Sequence, residues 1–258
     1  MNVVFSLLFY MIKKFVPHLF TLANLFCGCL GLFFAFQHMF NAALFMVFLG
    51  VFFDFFDGFF ARLLKVESAL GVELDSLADV ITSGAVPGAI LYQLIVLSGV
   101  QVEDYHFYFI PDFPLIFSVA PLATLGFLVS LGAAFRLARF NVEDTDLPYF
   151  KGLPAPANAL FIAGLPLLIL HPKLAVIRPF VLNPTTLVII VFISVLFMNI
   201  HWKMFSLKIS SFSFKAFLFP LLLFLLTLVL LLFYGIASTS VCIIVYILLS
   251  GLKSVLKV

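Results

Sequence analysis

The polar positions of this chain fall in short clusters separated by long apolar stretches. Runs of about 18 or more apolar residues recur, and as helices each would cross about 30 Å of hydrocarbon. The pattern predicts spans over 19–37, 42–62, 76–98, 114–138, 155–171, 180–199, 215–234 and 236–252. The fifth is short and bounded by prolines, so the count is seven or eight. The last two are plain hydrocarbon apart from Lys215 at one edge. Alternating ten-residue segments, the mark of a transmembrane barrel, are absent from the pattern. The expected architecture is all-α, a polytopic membrane helix bundle forming one domain over 1–258.

Composition agrees with this reading. Of 258 residues, 64% are hydrophobic and 10% charged, more apolar surface than a soluble core can hide. Residues 1–12 are apolar, but Lys13 and Lys14 follow them. A secretory signal carries its charge first and ends in small residues. Residues 1–16 are therefore expected to form an amphipathic helix at the membrane surface. Cys27, Cys29 and Cys242 fall in predicted helices as small packing residues, and no disulfide or metal site is expected of them. Net charge is +2, and no nucleic-acid partner is expected. With the amino terminus inside, 12 of 14 Lys and Arg share one side, and only Lys173 and Arg178 lie opposite. Basic residues collect on the cytoplasmic side. Both termini are thus expected in the cytoplasm and the chain in the cell (cytoplasmic) membrane. The loop 99–113, acidic and without Lys or Arg, falls outside.

One stretch breaks the apolar pattern. FDFFDGFFARLLKVESALGVELDSLAD, residues 53–79, carries Asp54, Asp57, Asp75 and Asp79 near the cytoplasmic ends of helices two and three. Spacings of three and four put each pair on one helical face. Helix two ends near Arg62 and helix three starts near Gly71, so the pairs can face each other. Unpaired carboxylates in hydrocarbon are costly, and one arginine cannot neutralise four of them. A divalent cation compensates best. Oxygen ligands with no His or Cys nearby suit Mg2+, Mn2+ or Ca2+ rather than Zn2+. Two ions about 4 Å apart would clamp a phosphoryl group in an in-line displacement. Gly58, Gly71 and Ala61 admit either a ligand or a neighbouring helix. Arg62 suits a phosphate or one of the aspartates.

Asp54, Asp57, Gly58, Ala61, Arg62, Gly71, Asp75 and Asp79 spell D-x2-D-G-x2-A-R-x8-G-x3-D-x3-D. The run resembles the signature of the CDP-alcohol phosphatidyltransferase family, without a mismatch. The resemblance implies a six-helix catalytic core with additions. It implies transfer of a phosphatidyl group from CDP-diacylglycerol to an alcohol, with CMP released in one direct, sequential step. It makes Asp54, Asp57 and Asp75 ligands of a metal pair shared with the diphosphate. Asp79 becomes the general base, with a metal contact as a further option. Gly58, Ala61, Arg62, Gly71, Asp57 and Asp75 would line the CDP site. Upstream, PHLFTLANLFCG, residues 17–28, resembles the family's P-N-x2-T-x2-N, with His18 where asparagine is usual. Thr21 and Asn24 then join the nucleotide site, although helix capping and interhelical hydrogen bonding account for them almost as well.

Two further stretches bear on the acceptor. FRLARFNVED, residues 135–144, and FKGLPAPANA, residues 150–159, resemble the membrane-embedded phosphatidylserine synthases of that family. The branch implies L-serine as acceptor, phosphatidylserine as product, membrane lipid as surroundings and a homodimer as one option. Serine is zwitterionic, and guanidinium groups bind carboxylates bidentately. Arg136, Arg139, Asn141 and Lys151 are the acceptor-site candidates. Arginines that snorkel at a cytoplasmic helix end remain the plainer reading. Two rivals stay open: the same chemistry with glycerol 3-phosphate or inositol phosphate, and a cation transporter. Transport sites lie near the midplane on broken helices, whereas these acids lie near one face. A phospholipase D-like H-x-K-x4-D motif is excluded, because Arg178 follows His171 and Lys173 where the aspartate belongs.

Overall fold

The computed structural model describes residues 2–110, 113–143, 149–205 and 214–256. Lys208 and Lys257 lie outside the described residues, as does the side chain of Lys215. Helix α1 runs unbroken from Asn2 to Phe36 with Pro17 inside it, so residues 2–16 continue the first span's helix. A turn at His38, with φ at 58°, leads to α2 (Phe40–Leu64). α3 (Ala69–Asp79), a π-helical turn (Val80–Ala85) and α4 (Val86–Leu97) form one 29-residue apolar segment. α5 (Leu128–Val142), α6 (Ala155–Leu170), the short α7 (Arg178–Val181), α8 (Pro184–Asn199), α9 (Phe214–Tyr234) and α10 (Thr239–Leu256) complete the bundle. Two antiparallel ribbons join them: β1 (Glu103–Ile110) with β2 (Phe113–Val119), and β3 (Tyr149–Lys151) with β4 (Lys203–Phe205).

The predicted all-α membrane bundle is observed. Among the described residues, five helical segments are long and apolar enough to cross a membrane, or six if Ala155–Leu170 and Pro172–Val181, bent by 100°, make one span. One of the five, Leu218–Ser254, has 37 residues, about 55 Å as a straight helix and nearly twice the hydrocarbon thickness. It turns at Gly235, where φ is 56°, and α9 then packs against α10, as the two separate spans of the sequence pattern require.

The expected span over 114–138 is corrected. Its first part, Phe113–Val119, is a strand paired with Glu103–Ile110, and α5 begins only after a 3-10 turn at Ala123–Phe127. The hairpin also replaces most of the loop expected at 99–113. Most of its apolar residues are aromatic or β-branched, which suits a pleated strand. Phe117 stacks between Tyr105 and Phe107 at 5.8 and 5.6 Å. Hydropathy alone joins a strand to the helix that follows it.

The main apolar core is shared by α1, α2, α4, α6 and α8. Ala35, Phe40, Leu44 and Val47 meet Ile90, Leu91, Ile95, Ile162 and Leu187 there. The lipid side of α2 shows Phe45, Phe48, Phe52, Phe55 and Phe59, all exposed and spaced alternately by three and four. The seam between α1, α2 and the π turn depends on small residues. A Cβ at Gly50 would lie 2.5 Å from Thr82 Cγ2 and 2.8 Å from Asn24 Oδ1, and one at Gly28 would lie 2.5 Å from Thr82 Oγ1. Without a hydrophobic drive between helices in lipid, such close backbone approach supplies the packing energy. Leucine at Gly50 is therefore expected to destabilise the bundle by about 1–3 kcal/mol. The check is thermal unfolding in detergent: Gly50→Leu lowers the midpoint, whereas Gly58→Ala, whose Cβ would meet only Arg62 Nη2 at 3.8 Å, does not.

Candidate active site

The four aspartates are brought face to face by a four-residue turn capped at both ends. α2 ends with Lys65 in the left-handed region, φ 54°, and the Val66 and Lys65 amides donate to the Ala61 and Arg62 carbonyls. This is the helix-ending pattern usually built on glycine. The Ser68 hydroxyl oxygen then accepts from the Gly71 amide at 3.1 Å and starts α3. Across this turn, carboxylate oxygens of Asp54, Asp57 and Asp75 lie within 4.8 Å of one another. Asp79 lies outside that trio, one turn deeper along the same segment.

α1 orients two of the acids. The Thr21 hydroxyl donates to Asp57 Oδ2 at 2.8 Å, and the Asn24 amide donates to Asp79 Oδ1 at 2.9 Å. Both donors are buried, at 2% and 0% exposure, so these bonds are made without competing water. The Thr82 hydroxyl, inside the π turn, donates to the Asn24 backbone carbonyl and ties the turn to α1. A single π turn inside an α-helix often marks a functional site, and this one begins at the residue after Asp79.

The trio fits a divalent cation. Its donors are oxygens, they are partly or fully buried, and Asp75 Oδ1 is buried without a hydrogen-bond partner among the described residues. Beside it lies a cavity of about 500 Å3, walled by α1, α2 and α3. Thr21, Asp57, Gly58, Ala61, Arg62, Gly71 and Asp75, all expected at a nucleotide site, line it. Asn24 and Asp79 sit below it. Gly58 faces open space rather than a packed helix, whereas Gly71 abuts Ser68 and His18.

The acceptor candidates divide into two groups. Arg136 is buried, 7% exposed, and its guanidinium is the positive charge acting on Asp79. Its Nε has no hydrogen-bond partner among the described residues. Arg139 instead donates from Nη1 to the Asn199 carbonyl at 3.1 Å and pairs through Nε with Glu143 at 3.5 Å. Glu143 also accepts from Lys151 at 2.6 Å. That ammonium holds the Glu143 carboxyl below the usual carboxylate range. Asn141 is exposed and donates to the Ser76 hydroxyl at 2.9 Å, linking α5 to α3. Lys151 is set by Gly152, where φ is 70° and a Cβ would lie within 2.8 Å of the Met198, Ile200 and Phe197 carbonyls. Only glycine fits that turn.

Sequence reasoning named His18 without giving it a site role, and it missed Ser68, the π turn and Glu143. His18 shares the three-residue spacing of Thr21 and Asn24, and Glu143 stands four after Arg139, so both left a signal. The π turn left none.

The chain is 31% identical over 176 residues to the CDP-diacylglycerol–serine O-phosphatidyltransferase of Bacillus subtilis (strain 168), which covers 68% of the chain and 81% of that protein. It is 36% identical over 148 residues to the Helicobacter pylori (strain ATCC 700392 / 26695) protein of the same name, covering 57% of the chain and 54% of the relative. The Saccharomyces cerevisiae protein of that name is 36% identical over 137 residues, covering 50% and 42%. The chain thus spans about half the length of the latter two relatives, and α9 and α10 lie beyond the stretch that matches the family model. That model, described as CDP-alcohol phosphatidyltransferase, matches residues 14–199, the stretch that holds every aspartate of the site, and the chain belongs to this family.

Proposed function

We propose that this protein transfers the phosphatidyl group of CDP-diacylglycerol to the hydroxyl of L-serine, giving phosphatidylserine and CMP. The observation that carries the reading is the juxtaposition of a half-buried carboxylate trio, a nucleotide-sized cavity and a separately held fourth carboxylate beside a buried arginine. The names of the relatives favour serine over a phosphorylated alcohol.

Asp54, Asp57 and Asp75 would hold one or two divalent cations, Mn2+, Mg2+ or Ca2+ by their oxygen-only donor set. When bound, such ions offset charge on the diphosphate and the leaving nucleotide. Thr21 fixes one oxygen of Asp57, which leaves the other free to turn into the trio. Asn24 occupies Asp79 Oδ1, so Oδ2 is the oxygen that faces an incoming hydroxyl. As the serine oxygen bonds to the phosphorus that carries diacylglycerol, its proton passes to Asp79. The bond from that phosphorus to the CMP oxygen breaks, and the electron pair leaves with CMP. Arg136, buried on the Asp79 side of α5, orients the serine carboxylate. Arg139 and Lys151, held by Glu143, form the cytoplasmic rim through which serine enters. On this reading the active site faces the cytoplasm.

Three outcomes are expected. Asp79→Asn keeps CMP and metal binding but lowers turnover by about 10² to 10⁴, the worth of a positioned base; near-normal CMP release by this variant would remove Asp79 from that role. Arg136→Gln raises the serine KM at least about tenfold and leaves the CDP-diacylglycerol KM within about twofold, with a smaller effect for Arg139→Ala; paired KM measurements read this directly. Chelation with EDTA abolishes incorporation of labelled serine into lipid, and Mn2+ or Mg2+ restores it in wild type but not in Asp75→Asn. Labelled glycerol 3-phosphate in place of serine tests the acceptor: if it alone gives product, serine is the wrong assignment.

A further inference from the structure

We propose that His18 hydrogen-bonds the nucleoside end of the cytidine nucleotide. The proposal rests on the nucleotide cavity of the reading above, and not on which alcohol is the acceptor. The cavity has two chemically different ends. Thr21, Asp57 and Asp75 form the inner end. About one helical turn further out on each of the three helices stand His18, Ala61 and Gly71. A ligand whose phosphates lie against the carboxylates therefore projects its next portion, the sugar and base, into this outer layer.

The outer layer suits a neutral, polar, flat group. Its walls include Pro17, Ala61 and Val66, and its charged residues, Arg62 and Glu67, are exposed and of opposite sign. Within this frame both nitrogens of His18 are shut off from solvent, and neither has a hydrogen-bond partner among the described residues. Idle buried polar atoms cost free energy until something pairs with them. A neutral imidazole presents one donor and one acceptor, which matches sugar hydroxyls and the polar edge of a pyrimidine. Gly71 keeps the ring edge clear: a Cβ there would come within 3.4 Å of His18 Cε1 and 3.3 Å of the capping Ser68 Oγ.

The test uses the full-length, detergent-solubilised protein loaded with Mn2+, titrated calorimetrically with CMP and separately with inorganic pyrophosphate. Pyrophosphate reports on the carboxylate end alone, and CMP on both ends. His18→Ala and His18→Phe are expected to weaken CMP about fivefold to tenfold, as loss of a hydrogen bond or two would. Pyrophosphate affinity should stay within about twofold, which also shows that the variants fold. His18→Asn, which again offers a planar donor and acceptor, should recover most of the CMP affinity, whereas the ring of His18→Phe should not. Unchanged CMP affinity in His18→Ala and His18→Phe overturns the proposal, as does an equal loss for pyrophosphate. So does a CMP affinity restored by phenylalanine, because packing would then be the whole role. Wild-type protein that binds CMP yet makes no lipid from serine defeats the serine assignment and leaves this one standing.

Discussion

Carboxylates in a bundle built almost wholly of apolar side chains are costly to leave uncompensated, and the fold must hold them by fixed partners. α1 supplies two of those partners, Thr21 for Asp57 and Asn24 for Asp79. Bonds of 2.8 and 2.9 Å require backbones close together, and the glycines at 28 and 50 allow it by admitting Thr82 against both helices. Packing and chemistry are therefore one constraint. Any side chain that widens the seam between α1 and α2 also withdraws the donors that orient the acids. The Phe20 ring, stacked on Phe60 at 5.1 Å and near Phe53 and Phe56, fills the same seam.

Around this centre the fold separates tasks by depth. The apolar core is shared by α1, α2, α4, α6 and α8, whereas the acids and the cavity gather where α1, α2 and α3 meet. At the rim, Glu143 gathers Arg139 and Lys151 from two stretches of chain, and the β3–β4 ribbon fixes the second of them. In that ribbon Lys203 lies over the Tyr149 ring at 4.9 Å. The α9–α10 hairpin packs Phe219, Tyr246 and Leu249 against Leu153 and Met204, next to the turn that positions Lys151. A segment beyond the family-matched residues thus braces a loop within them.

Much of this was legible in the residues themselves. The spacing of Asp54, Asp57 and Asp75 placed three carboxylates on facing helices, and they converge as that spacing requires. The helix limits were legible wherever an apolar run ended in a turn signal. They failed at 114–138, where strand and helix share one apolar run and only the pairing partner distinguishes them. Arg136 and Arg139, three apart, read as equivalent, yet one is buried near Asp79 and the other is taken by Asn199 and Glu143. The difference comes from α8 packing against α5, which no local pattern encodes. The resemblance set Asp79 apart from the trio, but its hydrogen bond to Asn24, 55 residues away, has no local signal.

The π turn at Val80–Ala85 has a consequence for how one helix serves two surroundings. Relative to an α-helix it holds one additional residue, and each residue is worth about 100° of rotation. Upstream, the segment turns Asp75 and Asp79 toward the carboxylate site; downstream, α4 is buried through most of its length. The widened turn acts as a phase adjuster between these two registers. Rewinding the same residues into regular α-helix would rotate one end against the other by about 100°, more than a quarter turn. The width of the turn at 80–85, independently of which side chains occupy it, therefore sets which face of α4 meets the bundle.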